Sequence, residues 1–402
     1  MRILVVNQYF PPDRSATAQL LAQLCEDLSL HHEVTVVAGR PSYGSCDPHR
    51  SRGLISEEQL GRVRVLRTWS TTFHRGEMPG RIANYSTYLA TALGGALRAE
   101  RPDVVLVMTD PPLIGVLGAA LAAMRKIPFV YVNQDLFPEV LMALGTMPRS
   151  RAVRGLAAVS LGVRRRASRL VAIGRDMERR LRSQGLDANR IEVIPNWADG
   201  ETIWPLDRPS TLREAQGWNG NFVVMHSGNV GLLQDLETFI EAADLLRRRE
   251  DITFAIVGDG AMKPAYVRDV RMRGLRNLTF LPYQRSDVLA DSLGAADLHF
   301  IGLRRGLAGC VVPSKTYGVL AAGKPYLAGI QEGTEPAMIA DEFGCGVRVD
   351  PGDPPALANA IVELQDGPLE EMGRYARKAF EERYDRPAAA DAYRRLLEEV
   401  VG

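Results

Sequence analysis

Short continuous apolar runs recur along this 402-residue chain with helical stretches between them, and the pattern runs twice. Residues 3–6, 33–38, 63–66, 104–108, 129–132 and 170–173 form the first series. Runs of this length, without polar alternation, suit strands buried on both faces. Intervening amphipathic helices then make the sheet parallel. Residues 196–218 break the rhythm with Gly200, Pro205, Pro209 and Gly217 among polar residues, as a linker would. The rhythm restarts at 222–226, 253–257, 278–281, 298–301, 326–328 and 347–349. The expected fold is therefore α/β: two tandem Rossmann-like, doubly wound domains, 1–198 and 199–384, facing a cleft. Residues 385–402 are expected to form a C-terminal helix that packs back on the first domain. Open parallel sheets bind ligands beyond the carboxyl ends of their strands, so the cleft is the expected site.

Composition removes several classes. Forty-nine basic and 48 acidic residues leave a net charge of +1, which gives no whole-chain attraction to nucleic acid. Cys25, Cys46, Cys310 and Cys345 are far apart with no CxxC spacing, so a disulfide scaffold or zinc ribbon is not expected and a reducing, cytoplasmic setting fits. The N-terminus lacks the long apolar segment and cleavage site of a signal peptide. The longest uncharged apolar run, 113–124, falls short of the roughly 20 residues a membrane span needs. His31, His32, His49, His74 and His299 form no metal-binding pattern, and neither HExxH nor GxSxG occurs. No metal or other cofactor is expected.

Four strand-end motifs carry candidate chemistry. His226-Ser-Gly-Asn-Val-Gly231 follows the first strand of the second domain. Gly228 and Gly231 would let backbone amides approach an anion; a tight turn with no ligand is the equal alternative. No GK[ST] follows, and neither half has GxGxxG after its first strand, which disfavours Walker and dinucleotide sites. Pro313-Ser-Lys-Thr begins a helix that Gly323 ends, placing Ser314 and Lys315 in its first turn. A cation there opposes the helix dipole, which makes sense if it faces a phosphate; an exposed lysine without a role is the alternative. Gly258 and Lys263 belong to a further strand-to-helix glycine turn, with a purely structural turn as the alternative. In the first domain, Asp135 and Glu139 lie just past a strand; for Asp135 the competing role is a helix N-cap ahead of Pro138. Asp110 stands in a similar loop.

Taken in order, Asn7-Gln-Tyr-Phe-Pro-Pro12, Gln134-Asp-Leu-Phe-Pro-Glu139, Ile194-Pro-Asn196, Ser227-Gly-Asn229, Val257-Gly-Asp-Gly260, Ala296-Asp297, Pro313-Ser-Lys315 and Ala321-Ala-Gly-Lys-Pro325 resemble retaining, GT-B-fold glycosyltransferases of family 4. The resemblance covers nearly the whole chain and is strongest to members that build bacterial surface polysaccharides. It implies transfer of a sugar from a nucleotide diphosphate sugar, UDP- or GDP-activated, to a lipid-linked or saccharide acceptor without a metal. On this reading Gly228, Asn229, Gly231, Gly258, Lys263, Ser314 and Lys315 bind the donor, Asp135 is catalytic, and Asn7, Ser15, Asp110 and Glu139 lie on the acceptor side. Two glutamates common in the family fall here on Cys310 and Gly318, and the usual Arg and Lys of the first glycine loop fall on Asn229 and Gln234. Lys315 is the candidate for the missing phosphate charge, and Glu335 for the ribose contact. A nucleotide-sugar 2-epimerase would need more carboxylates and a histidine at the strand ends. A non-catalytic nucleotide-sugar-binding partner would explain the missing glutamates.

The segment 149–182 holds eleven arginines against Asp176 and Glu178. Leu156, Val159 and Val163 fall at helical spacing ahead of Arg164-Arg-Arg166, so contact with an anionic membrane surface, at the inner face of the membrane, is expected; the alternative is that this apolar face packs on the sheet. The chain uses arginine almost everywhere: its lysines are only Lys126, Lys263, Lys315, Lys324 and Lys378.

Overall fold

The computed structural model describes all 402 residues except 14, 42–52, 74–77 and 148–149; Cys46, His49, His74 and Arg149 lie outside the described residues. The chain divides into two compact units, Met1–Pro195 with Ala389–Gly402, and Asn196–Ala388.

Unit 1 carries an eight-stranded sheet: β1 (Arg2–Val6), β2 (Glu33–Gly39), β3 (Ile55–Leu60), β4 (Val63–Thr68), β5 (Val104–Val107), β6 (Phe129–Asn133), β7 (Arg169–Ala172) and β8 (Ile191–Val193). Their order is β3-β4-β2-β1-β5-β6-β7-β8. All pairings are parallel except β3 with β4. The direction of winding reverses between β1 and β5. The first apolar runs are the strands, because β1, β5 and β6 are buried almost end to end.

Two strands were not legible. β3 is an edge strand with mostly exposed side chains, joined to β4 through Gly61, whose φ is 58°. Its place is marked by charge: Glu57 pairs with Arg64 and Glu58 with Arg67 across the hairpin. β8 has only three residues.

Unit 2 carries β9 (Phe222–Ser227), β10 (Ile252–Val257), β11 (Leu278–Leu281), β12 (Leu298–Gly302), β13 (Tyr326–Gly329) and β14 (Gly346–Val349), in the order β11-β10-β9-β12-β13-β14 and parallel throughout. Alternate residues serve opposite faces. Phe222, Val224, Phe254 and Ile256 pack with Phe239, Ile240 and Ile361 on one face. Val223, Met225, Ala255 and Val257 pack with Trp218 on the other. A strand buried on both faces leaves few polar positions, which is why these runs read as mostly apolar stretches. The linker is thus part of unit 2: besides Trp218, its helix Thr211–Ala215 is held by the Asp291 carboxylate, which accepts from Thr211 N (2.9 Å), Thr211 Oγ1 (2.8 Å) and Leu212 N (3.0 Å).

The unit boundaries fall a few residues from positions 198/199 and 384/385. Ala198 N donates to Tyr384 O at 3.1 Å and Arg386 N to Ala198 O at 3.0 Å, so both crossing segments are paired to each other within unit 2. The helix Arg386–Val401 buries Tyr393, Leu396 and Leu397, and Arg169 reaches Glu399 at 2.6 Å within unit 1.

Candidate active site

In unit 2 the winding reverses between β9 and β12, where a parallel sheet presents its ligand crevice. The loop after β9 and the loop after β10 lie backbone against backbone. Gly228 N donates to Val257 O (2.9 Å), Val230 N to Asp259 O (2.8 Å) and Met262 N to Val230 O (3.0 Å). Gly258 has φ 149°, and a Cβ there would stand 1.9 Å from Gly228 O; at Gly260 it would stand 2.3 Å from Val230 O. Only glycine permits that approach. Lys263 pins the same frame, its Nζ donating to Gly258 O (2.6 Å) and Leu281 O (3.1 Å).

This corrects part of the sequence reading. The Gly228 amide is spent on Val257 O, the Gly258 amide on Leu281 O, and the Gly231 amide on Gln234 Oε1 at 3.1 Å. These glycines shape the loop and do not offer free donors to an anion. Lys263 is neither solvated nor free; it holds strand ends together. Asn229 is exposed on the loop.

The unspent cation is Lys315. It opens the helix Lys315–Ala321, with Ser314 in the capping position and its hydroxyl making no cap bond. Lys315 Nζ stands 3.2 Å from His226 Nε2 and 3.4 Å from Nδ1, and its Cε lies 3.5 Å from where a Gly228 Cβ would be. Among the described residues no carboxylate pairs with it. The residue keeps some accessible surface but protein hems in its amine, and this burial pushes the ammonium down to about 7. His226 is wholly buried; burial first, then the neighbouring Lys315, holds its pKa well below the ordinary histidine value, so the ring is neutral. One signal could have found His226: it is the single titratable residue in an otherwise apolar strand. Its partner is 89 residues away in sequence, so the pair itself was invisible.

Cys310 is buried and Gly318 lies one turn along the helix from Lys315, where a Cβ would meet only Leu293 and Ile203 side chains at 3.7–3.8 Å. Glu335, the first residue of the helix Glu335–Phe343, is 2% exposed, with Tyr384 O–H directed at its Oε1 at 3.5 Å. So enclosed a carboxylate presents almost no surface to a ribose.

In unit 1 the ends of β1, β5 and β6 gather polar side chains. Asn7 is wholly buried; its Nδ2 donates to Tyr9 O at 2.8 Å and its Oδ1 has no partner. Asn133, at the end of β6, also leaves its Oδ1 unpaired. Thr109 Oγ1 accepts from Gln134 N (3.1 Å) and Asp135 N (3.3 Å), aiming the loop that carries Asp135. Asp135 is exposed on this loop, although the strand ends crowd protein atoms around its carboxyl. That desolvation, with the charge of Asp110 added, pushes it up to about 7. The helix that follows, Glu139–Ala143, is capped at Pro138, so Asp135 is not its N-cap.

Two acceptor-side candidates turn out to be structural. Ser15 caps the helix Ala16–Leu28, its Oγ accepting from Ala18 N at 3.1 Å. Glu139 is an internal ion pair: Arg164 Nη1 reaches Oε1 at 2.8 Å and Gln184 Nε2 donates to the same oxygen at 2.9 Å. Burial pushes the Glu139 carboxyl up, but Arg164 and Gln184 outweigh it and hold it below the usual range.

Comparisons define the class. Residues 15–197 match the Glycosyl transferase 4-like domain and residues 221–366 the Glycosyl transferases group 1 family. WbjE of Pseudomonas aeruginosa, assigned as a glycosyltransferase, is 34% identical over 71% of this chain and 72% of its own. WcaI of Escherichia coli strain K12, assigned as a colanic acid biosynthesis glycosyl transferase, is 26% identical over 90% of this chain and 91% of its own. The crystal structure of Anabaena HepE in complex with UDP-glucose covers 99% of this chain and 100% of its own at a TM-score of 0.73 and 19% identity. Two parallel-sheet α/β units of this kind, with these sequence matches, define a glycosyltransferase. The chain belongs to the GT-B-type glycosyltransferases of family 4.

Proposed function

We propose that this enzyme transfers a sugar, hexosyl or N-acetylhexosaminyl, from a nucleotide diphosphate sugar to a lipid-linked or saccharide acceptor in polysaccharide biosynthesis. Transfer proceeds with retention and without a metal. The observation that carries the reading is Lys315: a cation with no carboxylate partner among the described residues, set at the β9/β12 reversal beside Gly228. A diphosphate leaving group carries the charge such a group stabilises. The named relatives in colanic acid biosynthesis and in complex with UDP-glucose support the polysaccharide product and a UDP-linked donor. Ser314 adds an uncapped hydroxyl next to Lys315, and Asn229 an exposed amide.

Asp135 is assigned to the acceptor hydroxyl, with Asp110 and Asn7 as neighbours that shape its surroundings. A carboxyl near neutrality can accept a hydrogen bond and a proton at working pH. Among the described residues, no cluster of three or more His, Cys, Asp or Glu offers a metal site. A second reading, a non-catalytic nucleotide-sugar-binding partner, draws on Cys310 and Gly318 at the family's glutamate positions.

The test is a thermal-shift screen of UDP and GDP followed by donor hydrolysis of UDP-glucose. A ligand at 100 times its Kd should add about 2.7 kcal/mol of stability. Binding with slow, acceptor-stimulated release of UDP supports the enzyme; binding with no turnover for any donor supports the partner protein.

A further inference from the structure

The slot beside Gly228 has an unusual charge balance. His226 is fixed from below: Nε2 lies 3.3 Å from Asn229 O, and the Phe300 backbone also bonds the ring. With backbone carbonyls around the ring edge, Lys315 Nζ, 3.2 Å from Nε2 and 3.4 Å from Nδ1, sits over the face of the neutral imidazole, where the ring's π electrons meet the ammonium. The charged or titratable groups facing this pair are few. His226 comes from β9 and His299 from β12, and His299 is itself buried, bonded to Leu293 O at 2.9 Å and held down to about 4. Asn229 and Gly228 are uncharged. No described carboxylate supplies the counter-charge that a lysine so placed ordinarily has.

We infer that His226 is the positioning residue of this slot: its neutral ring holds Lys315 Nζ beside Gly228, and the donor's diphosphate supplies the missing negative charge, so that donor binding draws a proton onto Lys315. The inference rests on the reading of unit 2 as the donor site. Burial brings Lys315 down to about 7, so near neutral pH part of the empty enzyme carries it as an amine. An arriving anion favours the ammonium, and the proton comes from solvent. A lowered lysine pKa restored by a ligand means affinity is full below the free-state value and declines as pH rises through it.

The experiment is calorimetric titration of the full chain with UDP-glucose and GDP-mannose in buffers of different ionisation enthalpy. Both probes have a diphosphate esterified at each end, which does not itself titrate near neutrality. Near pH 7 the wild type should take up about half a proton per ligand, and affinity should fall towards about tenfold per pH unit above that. Lys315→Arg, always charged, should bind without proton uptake and with a flat pH profile. His226→Phe keeps an aromatic face under the ammonium and should retain most of the affinity, whereas His226→Ala removes the ring and should weaken binding about tenfold and move the pH midpoint. Binding without proton uptake, uptake that persists in Lys315→Arg, or His226→Ala with unchanged affinity and midpoint would overturn the inference while leaving the donor site intact. Failure of both probes to bind the wild type would instead sink the donor-site reading. Should His226→Ala not fold, His226→Leu, which fills much of the ring's volume without its π face, gives the same comparison with His226→Phe.

Discussion

Desolvation first, then the charge of Asp110, pushes the Asp135 carboxyl up, while the solvent at its exposed surface screens the shift, and this has two measurable consequences. Its folded pKa lies above its unfolded value, so ionisation costs some stability in the folded state, a cost that solvent at the exposed side chain keeps small. The protein should therefore lose stability as pH rises from the usual carboxylate range through about 7. Asp135→Asn removes that penalty: it should melt higher than wild type at pH 8 and equally at pH 4. The same variant should lower turnover about 10²-fold with donor affinity intact. Equal melting at pH 8 would contradict the raised pKa, and undiminished turnover would remove Asp135 from the reaction. The sequence placed Asp135 at a strand end but could not show that Asp110 adds its charge, since the two meet only across β5 and β6. Gly228 and Gly231 show the opposite limit. Their motif was legible, but where their amides point depends on Val257 and Gln234, which only the folded backbone specifies.

Among the elements, the linker helix Thr211–Ala215 is the simplest case. It has no buried residue of its own and depends on the Asp291 carboxylate, which also bonds Ser210 Oγ. Burial raises Asp291, but the donors from Thr211, Leu212 and Ser210 outweigh it and leave its pKa low. A depressed carboxylate contributes stability above its unfolded pKa and loses it as pH falls through the folded one. Asp291→Ala should cost about 3 kcal/mol near pH 7, within the range for charge-assisted hydrogen bonds, and the gap to wild type should close below about pH 4 in urea unfolding.

The helix Arg151–Arg166 differs from its sequence reading. Val153 and Val163 are buried and Leu156 is half-buried, but Val159 is 48% exposed, and Arg164 is 2% exposed on Glu139. The outward face carries Arg151, Arg154, Val159, Arg165 and Arg166 with small residues between. That is a basic face with an apolar centre, and we propose that it rests on anionic lipid. Arg165→Ser with Arg166→Ser should reduce flotation with anionic vesicles while leaving the melting temperature unchanged. Arg164→Ser should instead lower stability, because it strands a buried carboxylate. Retained flotation in the double variant, or none by wild type at low salt, would remove the membrane face. No described helix is long and apolar enough to cross a membrane.

At the scale of the whole molecule, the chain leaves unit 1 after Pro195 and returns to it at Ala389. The last helix therefore stabilises a unit built mostly from the other end of the sequence. Leu397 is fully buried there, and Leu397→Ala should cost unit 1 about 2–5 kcal/mol. Differential scanning should show one transition lowered and the other unmoved; an equal shift in both would mean that the units unfold as one. Sequence alone determined the class of fold, because a strand covered on both faces must be apolar throughout and its helices must be amphipathic. That requirement leaves a pattern any reader of the chain can see, and it located the strands of unit 2 and most of those of unit 1. It also indicated the family, since strand-end motifs sit at spacings that local backbone geometry imposes. Tertiary structure alone decided which polar groups remain free. Lys263 and Lys315 look alike in sequence, each beside a glycine-rich turn or helix start. One is spent on Gly258 and Leu281 carbonyls and the other stands over His226, because hydrogen bonds and desolvation depend on distances between residues that the sequence keeps far apart.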